Sequence, residues 1–158
     1  MVKIFVVSDT HGKIDKFIQF AKILEKPDLI IHLGDYVDDS FEIERQMNID
    51  TIRVKGNCDF DREGVNEEEI LNINGKKIFL THGNKYNVKY DLFSLSYKAK
   101  EEGADVVLFG HTHTPIIEEY DGILFMNPGS PTIPRNMSRK SFGILEIQEK
   151  IISKIIEI

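Results

Sequence analysis

The chain of 158 residues lacks several features that mark whole classes of protein. It has a single cysteine, Cys58, which excludes a disulfide framework and suits a reducing compartment. No apolar run reaches the roughly 18 residues of a membrane span, and the first run is too short for a signal peptide. Basic residues are outnumbered, with 20 Lys and Arg against 26 Asp and Glu and a net charge of −6. We therefore expect a cytoplasmic protein with no membrane segment and no extended nucleic-acid-binding surface.

Length and composition fit one globular domain over residues 1–158. The chain is 41% hydrophobic and 29% charged, and no linker, repeat or low-complexity segment interrupts it. A domain of this size buries roughly 70% of its unfolded surface, so its core needs no covalent cross-links.

The first half of the chain alternates β-branched runs with helical patterns, which predicts a parallel sheet with helices on its faces. The last helix of this half is expected to begin near Ser40 as its N-cap and to end at Met47. The pattern predicts strands over residues 2–7, 29–33 and 51–55, and helical spacing over 14–24.

The second half is dominated by hairpin signals, chiefly Asn74-Gly75 and Asp121-Gly122. We predict a helix over about residues 88–102, and a final antiparallel pair whose last strand is an edge available for pairing in a homo-oligomer. The predicted strands cover residues 69–73, 76–81, 105–109, 115–120, 123–126, 142–147 and 151–156. The expected fold is an α/β domain with two sheets packed face to face between helices.

Five predicted strands end in short loops that carry side chains able to bind metal. Four of the five histidines lie in these loops, and a glycine stands beside the candidate ligands of each. Strands that run the same way in one sheet present such ends along one edge, where α/β proteins build their sites. The candidate ligands are, in chain order, Asp9, His11, Asp35, Asn57, His82, His111 and His113.

These seven groups fit a pair of divalent transition-metal ions. Imidazole nitrogens with carboxylate and amide oxygens suit Mn²⁺, Fe²⁺, Ni²⁺ or Zn²⁺ better than Ca²⁺, which prefers oxygen alone. Two ions that share a bridging carboxylate generate hydroxide near neutral pH and hold a phosphoryl group during in-line displacement. We expect two ions, with Mn²⁺ as the leading candidate and Ni²⁺, Fe²⁺ and Zn²⁺ as alternatives.

The loops, taken in this order, resemble the motifs of the calcineurin-like metallophosphoesterases. The short length resembles their small bacterial and archaeal phosphodiesterase branch, which includes a retromer subunit of similar fold. The resemblance spans residues 2 to about 130 and rests on Asp9-Thr10-His11, Gly34-Asp35-Tyr36-Val37-Asp38, Gly56-Asn57-Cys58-Asp59, Thr81-His82-Gly83, Gly110-His111-Thr112-His113 and Asn127-Pro128-Gly129-Ser130. It implies a four-layer α/β/β/α sandwich.

The resemblance also implies a ligand set and an activity. One metal would be held by Asp9, His11, Asp35 and His113, and the other by Asp35, Asn57, His82 and His111, with Asp35 as the bridge. The implied reaction is hydrolysis of a small phosphodiester by a metal-bridging hydroxide. Asp35, Asn57 and His111 are expected to act in catalysis, and Asn57 and Cys58 to contact the substrate.

Two positions depart from the family pattern. Where phosphomonoesterase members carry a histidine that protonates the leaving oxygen, this chain has Cys58, a weak hydrogen-bond donor. We therefore expect action on diesters with good leaving groups. The family's usual arginine is replaced by Asp39, which removes one expected phosphate contact. The alternatives are a non-catalytic protein-binding scaffold of the same fold and a phosphomonoesterase.

Other residues near the motifs have structural interpretations. His32 is expected to be a hydrogen-bonded core histidine, and Asp38 and Asp59 to orient ligands or loops. The segment 127–129 is expected to brace the metal loops. Exposed rings at Tyr36 and Phe60 would suit stacking or simple packing, and the arginines at 135 and 139 are expected on a solvated loop, with substrate contact as the alternative.

Overall fold

All 158 residues are described in the computed structural model, which contains three helices and ten strands. None of the helices combines the length and apolar character needed to traverse a bilayer. The elements are β1 (Val2–Val7), α1 (Asp15–Ile23), β2 (Leu29–His32), α2 (Asp38–Met47), β3 (Thr51–Arg53), β4 (Glu68–Ile73), β5 (Lys76–Thr81), α3 (Phe93–Glu102), β6 (Val106–Leu108), β7 (Ile116–Tyr120), β8 (Ile123–Asn127), β9 (Ser141–Ile147) and β10 (Ile151–Glu157).

The strands form two five-stranded sheets. The first has the order β10-β9-β1-β2-β3, with β1, β2 and β3 parallel and β9 and β10 antiparallel to their neighbours. The second has the order β4-β5-β6-β8-β7, with β5, β6 and β8 parallel and antiparallel edges at β4 and β7. Both hairpins predicted at Asn-Gly and Asp-Gly form, and β10 is a sheet edge as predicted.

Alternation along β1 explains how the sheets stack. Ile4 and Val6 belong to a core shared by the two sheets, together with Leu80 and Leu108 of the second sheet. Phe5 and Val7 lie on the other face and pack with residues of α1 and α2. A third core joins the outer face of the second sheet to α3. The predicted α/β/β/α sandwich is therefore confirmed.

The two sheets divide the five ligand loops between them. Three loops follow β1, β2 and β3 of the first sheet, and two follow β5 and β6 of the second. The expectation of a single sheet edge is wrong, because hydrogen bonding joins each set of strands separately. The site is built where the carboxyl ends of the two parallel sets face each other.

Two predicted helix starts are also wrong. Helix α2 begins at Asp38, and Ser40 lies inside it, where its hydroxyl donates to the carbonyl of Val37 at 2.5 Å rather than capping the helix. Helix α3 begins at Phe93 instead of residue 88, because Asn87 is left-handed with φ 57° and the Asp91 side chain accepts the Phe93 amide hydrogen bond at 2.9 Å.

Candidate metal centre

The backbone of the ligand loops adopts conformations that non-glycine residues rarely take. Asp9, His11, Asp35, His111 and His113 all have positive φ, between 48° and 70°. Such values cost energy and occur where the surrounding structure imposes them, often at functional sites. The chain turns sharply at candidate ligands after β1, β2 and β6, and four of the candidate side chains meet in one group.

The two aspartates are fixed through one oxygen each. In Asp9, Oδ2 accepts hydrogen bonds from the Ser8 hydroxyl at 2.7 Å and from the His111 amide at 3.0 Å. In Asp35, Oδ1 accepts from the Cys58 amide at 3.0 Å. Both side chains are at least 96% buried. Burial of two carboxylates this close together requires positive charge nearby.

Two histidines are oriented by backbone carbonyls. Nδ1 of His82 lies 2.7 Å from the Leu33 carbonyl oxygen, and Nδ1 of His113 lies 2.7 Å from that of Ile133. Since a carbonyl only accepts, each Nδ1 carries the proton and donates. In the neutral ring Nε2 is then an unprotonated nitrogen, the form in which imidazole binds metal.

Four candidate ligands converge within one small space. One donor atom from each lies within 4.8 Å of the others, and the four residues are Asp9, His11, Asp35 and His113. Nε2 of His113 lies 3.2 Å from Oδ1 of Asp9, and Nε2 of His11 lies 3.8 Å from Oδ2 of Asp35. This group coincides with the first ligand set implied by the family resemblance.

The remaining candidates lie on the other side of Asp35. Nε2 of His82 is 3.4 Å from Oδ1 of Asp35, and the rings of His82 and His111 have centroids 5.1 Å apart. Asn57 is exposed in a short 3₁₀ turn, where its amide nitrogen approaches Sγ of Cys58 at 3.8 Å. The structure thus places Asn57 and Cys58 at the solvent side of this group.

Electrostatics couple the carboxylates to the histidines. Burial alone raises the pKa of Asp35, but the neighbouring His82 ring, 3.4 Å away, outweighs it and holds the pKa below its usual range. Burial lowers the pKa of His82, whereas Asp35 and Asp9 raise it to a net value above normal. Because imidazole binds metal only in its unprotonated form, a metal ion and a proton compete for His82.

Unpaired polar atoms show that the residues fit divalent ions. Oδ1 of Asp9, Nε2 of His11 and Nε2 of His82 are buried and have no hydrogen-bond partner. Buried polar atoms are normally paired, so three such atoms facing one space indicate a missing partner. Because they are carboxylate and imidazole donors, a transition-metal cation is the partner whose chemistry fits them.

Buried side chains outside the ligand set brace the loops. Asp59 is 6% exposed and accepts hydrogen bonds from the amides of Asp35, Val37 and Gly56 at 2.8–2.9 Å. This agrees with the orienting role expected for Asp59. Ser130, which was not singled out by itself, donates to the Asp9 carbonyl at 2.8 Å. Ser130 lies 121 residues from Asp9 along the chain, so residue spacing alone does not predict this contact.

His32 and Asp39 form a second bracing network. The Gly34 amide donates to Nδ1 of His32 at 3.1 Å, so Nε2 bears the proton and faces the Thr10 hydroxyl at 3.0 Å. Thr10 in turn donates to Asp39 at 2.5 Å, and the Gly12 amide donates to the same oxygen at 2.9 Å. Burial lowers the pKa of His32 to about 3, which confirms a neutral core histidine.

The arginines of the 133–141 loop are exposed to solvent. Arg139 is exposed and pairs with Glu157 at 3.2 Å, while Arg135 is exposed and contributes its backbone amide to the His113 carbonyl at 3.0 Å. The solvated loop is therefore the correct interpretation for Arg139. The loop supports His113 through backbone groups rather than through a guanidinium.

Comparison with known proteins assigns the family. A model described as the calcineurin-like phosphoesterase superfamily domain matches residues 2–150. The chain belongs to the calcineurin-like phosphoesterase superfamily. The predicted resemblance is therefore confirmed, and a phosphoesterase that uses divalent metal is the activity class of the family.

Relatives of this calcineurin-like phosphoesterase are found in archaea. A probable metallophosphoesterase of Methanocaldococcus jannaschii is 38% identical over 97% of this chain and 80% of its own length. A phosphodiesterase of the same archaeon is 31% identical over 98% of this chain and 99% of its own length.

Solved structures share the fold of this calcineurin-like phosphoesterase. A phosphoesterase predicted in Streptococcus pneumoniae superposes with a TM-score of 0.83 at 30% identity, covering 99% of this chain and 89% of that one. Vps29 of Entamoeba histolytica, in complex with zinc, has a TM-score of 0.78 at 23% identity and covers 98% of both chains. At that identity the likeness shows the fold alone.

Proposed function

We propose that the protein is a dinuclear metal-dependent phosphodiesterase that hydrolyses small phosphate diesters. The observation that carries this proposal is the convergence of Asp9, His11, Asp35 and His113 beside His82 and His111, with three buried donor atoms left unpaired. A relative named as a phosphodiesterase, matched along almost its whole length, supports the diester class.

In this proposal each residue has a definite task. Asp9, His11, Asp35 and His113 hold one divalent ion, and Asp35, Asn57, His82 and His111 hold the second, with Asp35 shared. When bound, two such ions supply hydroxide near neutral pH and neutralise the phosphoryl oxygens. Asn57 and His111 also orient the phosphoryl group, and Mn²⁺ is the expected ion.

Cys58 supports the proposed preference for diesters with acidic leaving groups. In the metal-free protein burial raises the pKa of its thiol to about 11, with the charge of Asp35 adding to the effect. A thiol is a weak donor, and an alkoxide leaving group needs a strong one. An aryl oxide departs without such help, because it is a weaker base.

The first experiment compares bis(p-nitrophenyl) phosphate with p-nitrophenyl phosphate, using metal-stripped protein restored with Mn²⁺. We expect kcat/KM for the diester to exceed that for the monoester by about tenfold or more, which is over 1.4 kcal/mol in transition-state binding. Preference for the monoester would replace the proposal with a phosphomonoesterase. Two bound ions with no turnover of either ester would contradict both.

A substitution at Cys58 tests the leaving-group argument directly. Cys58→His restores an imidazole donor, and we expect hydrolysis of phosphoserine to rise by about 10–100-fold, since general acids contribute 10²–10⁴. Hydrolysis of p-nitrophenyl phosphate should change far less. Cys58→Ser is the matched control, because a hydroxyl is no stronger an acid. An equal response of both esters to both variants would refute the role of this position.

A protein-binding scaffold is the second candidate. Exposed aromatic side chains cluster around α3 and β7, with Phe93 at 64% and Tyr97 at 63% exposure and their rings 5.1 Å apart. A cavity of about 470 Å³ lies beside Phe93 and Tyr120. Patches of this kind occur at binding surfaces. A role as a scaffold alone, however, does not explain why the metal centre contains buried donor atoms that have no hydrogen-bond partner.

A further inference from the structure

A cleft of about 540 Å³ opens directly beside the metal centre. His11 and Cys58, which belong to two of the metal loops, form its inner end. The outer walls carry Tyr36, Asp38 and Arg62. The cleft therefore adjoins the place where a diester would meet the metal centre.

Arg62 is held in the cleft from two sides. Its Nε lies 3.0 Å from Oδ1 of Asp38, and its guanidinium carbon lies 5.0 Å from the centroid of the Phe41 ring. The backbone of Arg62 is also anchored, since its amide donates to the Asp59 carbonyl at 2.9 Å. The side chain nevertheless keeps 42% of its surface exposed. The guanidinium is therefore held in position while part of it stays exposed, and its planar N–H groups can donate hydrogen bonds to a ligand.

Tyr36 provides an aromatic wall for the same cleft. Its ring packs against that of His11 with centroids 5.1 Å apart, and 49% of the residue is exposed. Its backbone is left-handed, with φ 64°, so the turn after Asp35 sets the direction of the side chain. A half-exposed ring fixed in this way offers a face for stacking.

The charge of the cleft opposes an anionic arm. Its walls carry three carboxylates, from Asp38, Asp59 and Asp61, against the one guanidinium of Arg62. The only cation is already paired with Asp38. An arm with its own carboxylate or phosphate would be repelled by these side chains, whereas an uncharged ring can stack on Tyr36 while its polar substituent accepts hydrogen bonds from Arg62.

We propose that this cleft binds the leaving arm of the diester, that the arm is an uncharged planar ring, and that Arg62 is the residue that selects it. The assignment to the leaving arm rests on the proposed function, in which Cys58 lies on the leaving-group side. Arg62 thus supplies a guanidinium contact to the substrate in a chain where Asp39 replaces the family's arginine.

The test uses two diesters that share a methyl arm. Methyl p-nitrophenyl phosphate has an uncharged ring, and methyl p-carboxyphenyl phosphate has an anionic one. In Arg62→Ala we expect KM for the nitrophenyl diester to rise about tenfold, a typical effect of one lost pocket contact, with kcat within about twofold. Arg62→Lys should recover little, because an ammonium group is not planar. Asp38→Asn should lower KM for the carboxyphenyl diester, a gain that misfolding cannot imitate.

Two controls separate this contact from other effects. Arg45→Ala removes an equally charged side chain that is 71% exposed and paired with Glu42, and it should leave both KM values unchanged. The dissociation constant of methyl 4-nitrobenzylphosphonate, measured by calorimetry, reports binding without turnover. It should rise in Arg62→Ala in parallel with KM.

The outcomes distinguish the two proposals. Unchanged KM and phosphonate binding in Arg62→Ala would overturn the role of Arg62 even if the wild type hydrolyses both diesters. Tighter binding of the carboxyphenyl diester by the wild type, lost in Arg62→Ala, would show that the arm is anionic. If neither diester is hydrolysed, the phosphodiesterase proposal fails. The role of the cleft is then judged from phosphonate binding alone: weaker binding by Arg62→Ala supports it, and equal binding overturns it.

Discussion

Asp35→Asn is expected to lower kcat/KM for bis(p-nitrophenyl) phosphate by about a thousandfold or more, equivalent to about 4 kcal/mol. Asp35 is close to both groups of histidines through different oxygens, with His11 3.8 Å from Oδ2 and His82 3.4 Å from Oδ1. The amide of asparagine has the same shape but no negative charge, so it would be a much weaker ligand for two cations. We therefore expect the variant to bind fewer metal ions per chain.

Metal content and turnover are measured on the same preparation, by elemental analysis and by release of nitrophenolate. Asp50→Asn is the matched control, because Asp50 is exposed and precedes β3, at the end of the strand opposite the metal loops. It should retain full metal content and activity. Normal turnover by Asp35→Asn with two bound ions would exclude a shared carboxylate at this position.

Asp59→Ala is expected to lower the free energy of unfolding by about 3–5 kcal/mol, as loss of one partner from a buried charged network does. The substitution leaves the amides of Asp35, Val37 and Gly56 without their acceptor in a buried place, and each unpaired amide costs about 1–3 kcal/mol. The loop that carries Asp35 also loses its anchor, so metal affinity should fall as well.

Chemical denaturation of the metal-free protein measures this loss apart from any metal effect. Asp61→Ala removes a carboxylate two residues later that is exposed, and it should change stability by no more than about 0.5 kcal/mol. Equal stability of the two variants would mean that Asp59 is dispensable for folding and that other contacts stabilise the short turn around it.

The four layers of the sandwich can be predicted from the sequence because turn residues and hydrophobic periodicity are local signals. Asn74-Gly75 and Asp121-Gly122 are turns with positive φ at both residues, and the structure has a hairpin at each. Alternating burial along β1 likewise follows from the two-residue period of a strand. The division of the loops between two sheets is a matter of strand pairing over long distances, which periodicity does not reveal.

The candidate ligands could be selected from the sequence because histidines are rare in this chain and stand at strand ends. Their supports could not, since these depend on contacts between distant segments. The start of α2 shows the same limit on a smaller scale. The left-handed turn at Asp35 and Tyr36 reverses the chain early, so the helix begins at Asp38 and Ser40 loses its predicted capping role.

The wide separation of the site residues along the chain has a consequence for how the protein is made. The His111 amide and the Ser130 hydroxyl both bond to Asp9, across 102 and 121 residues respectively. During translation Asp9 lacks these two partners until the loop after β6 and the segment around Ser130 have left the ribosome. The complete metal centre therefore forms late in synthesis, and chains released before residue 113 lack part of it and cannot be loaded.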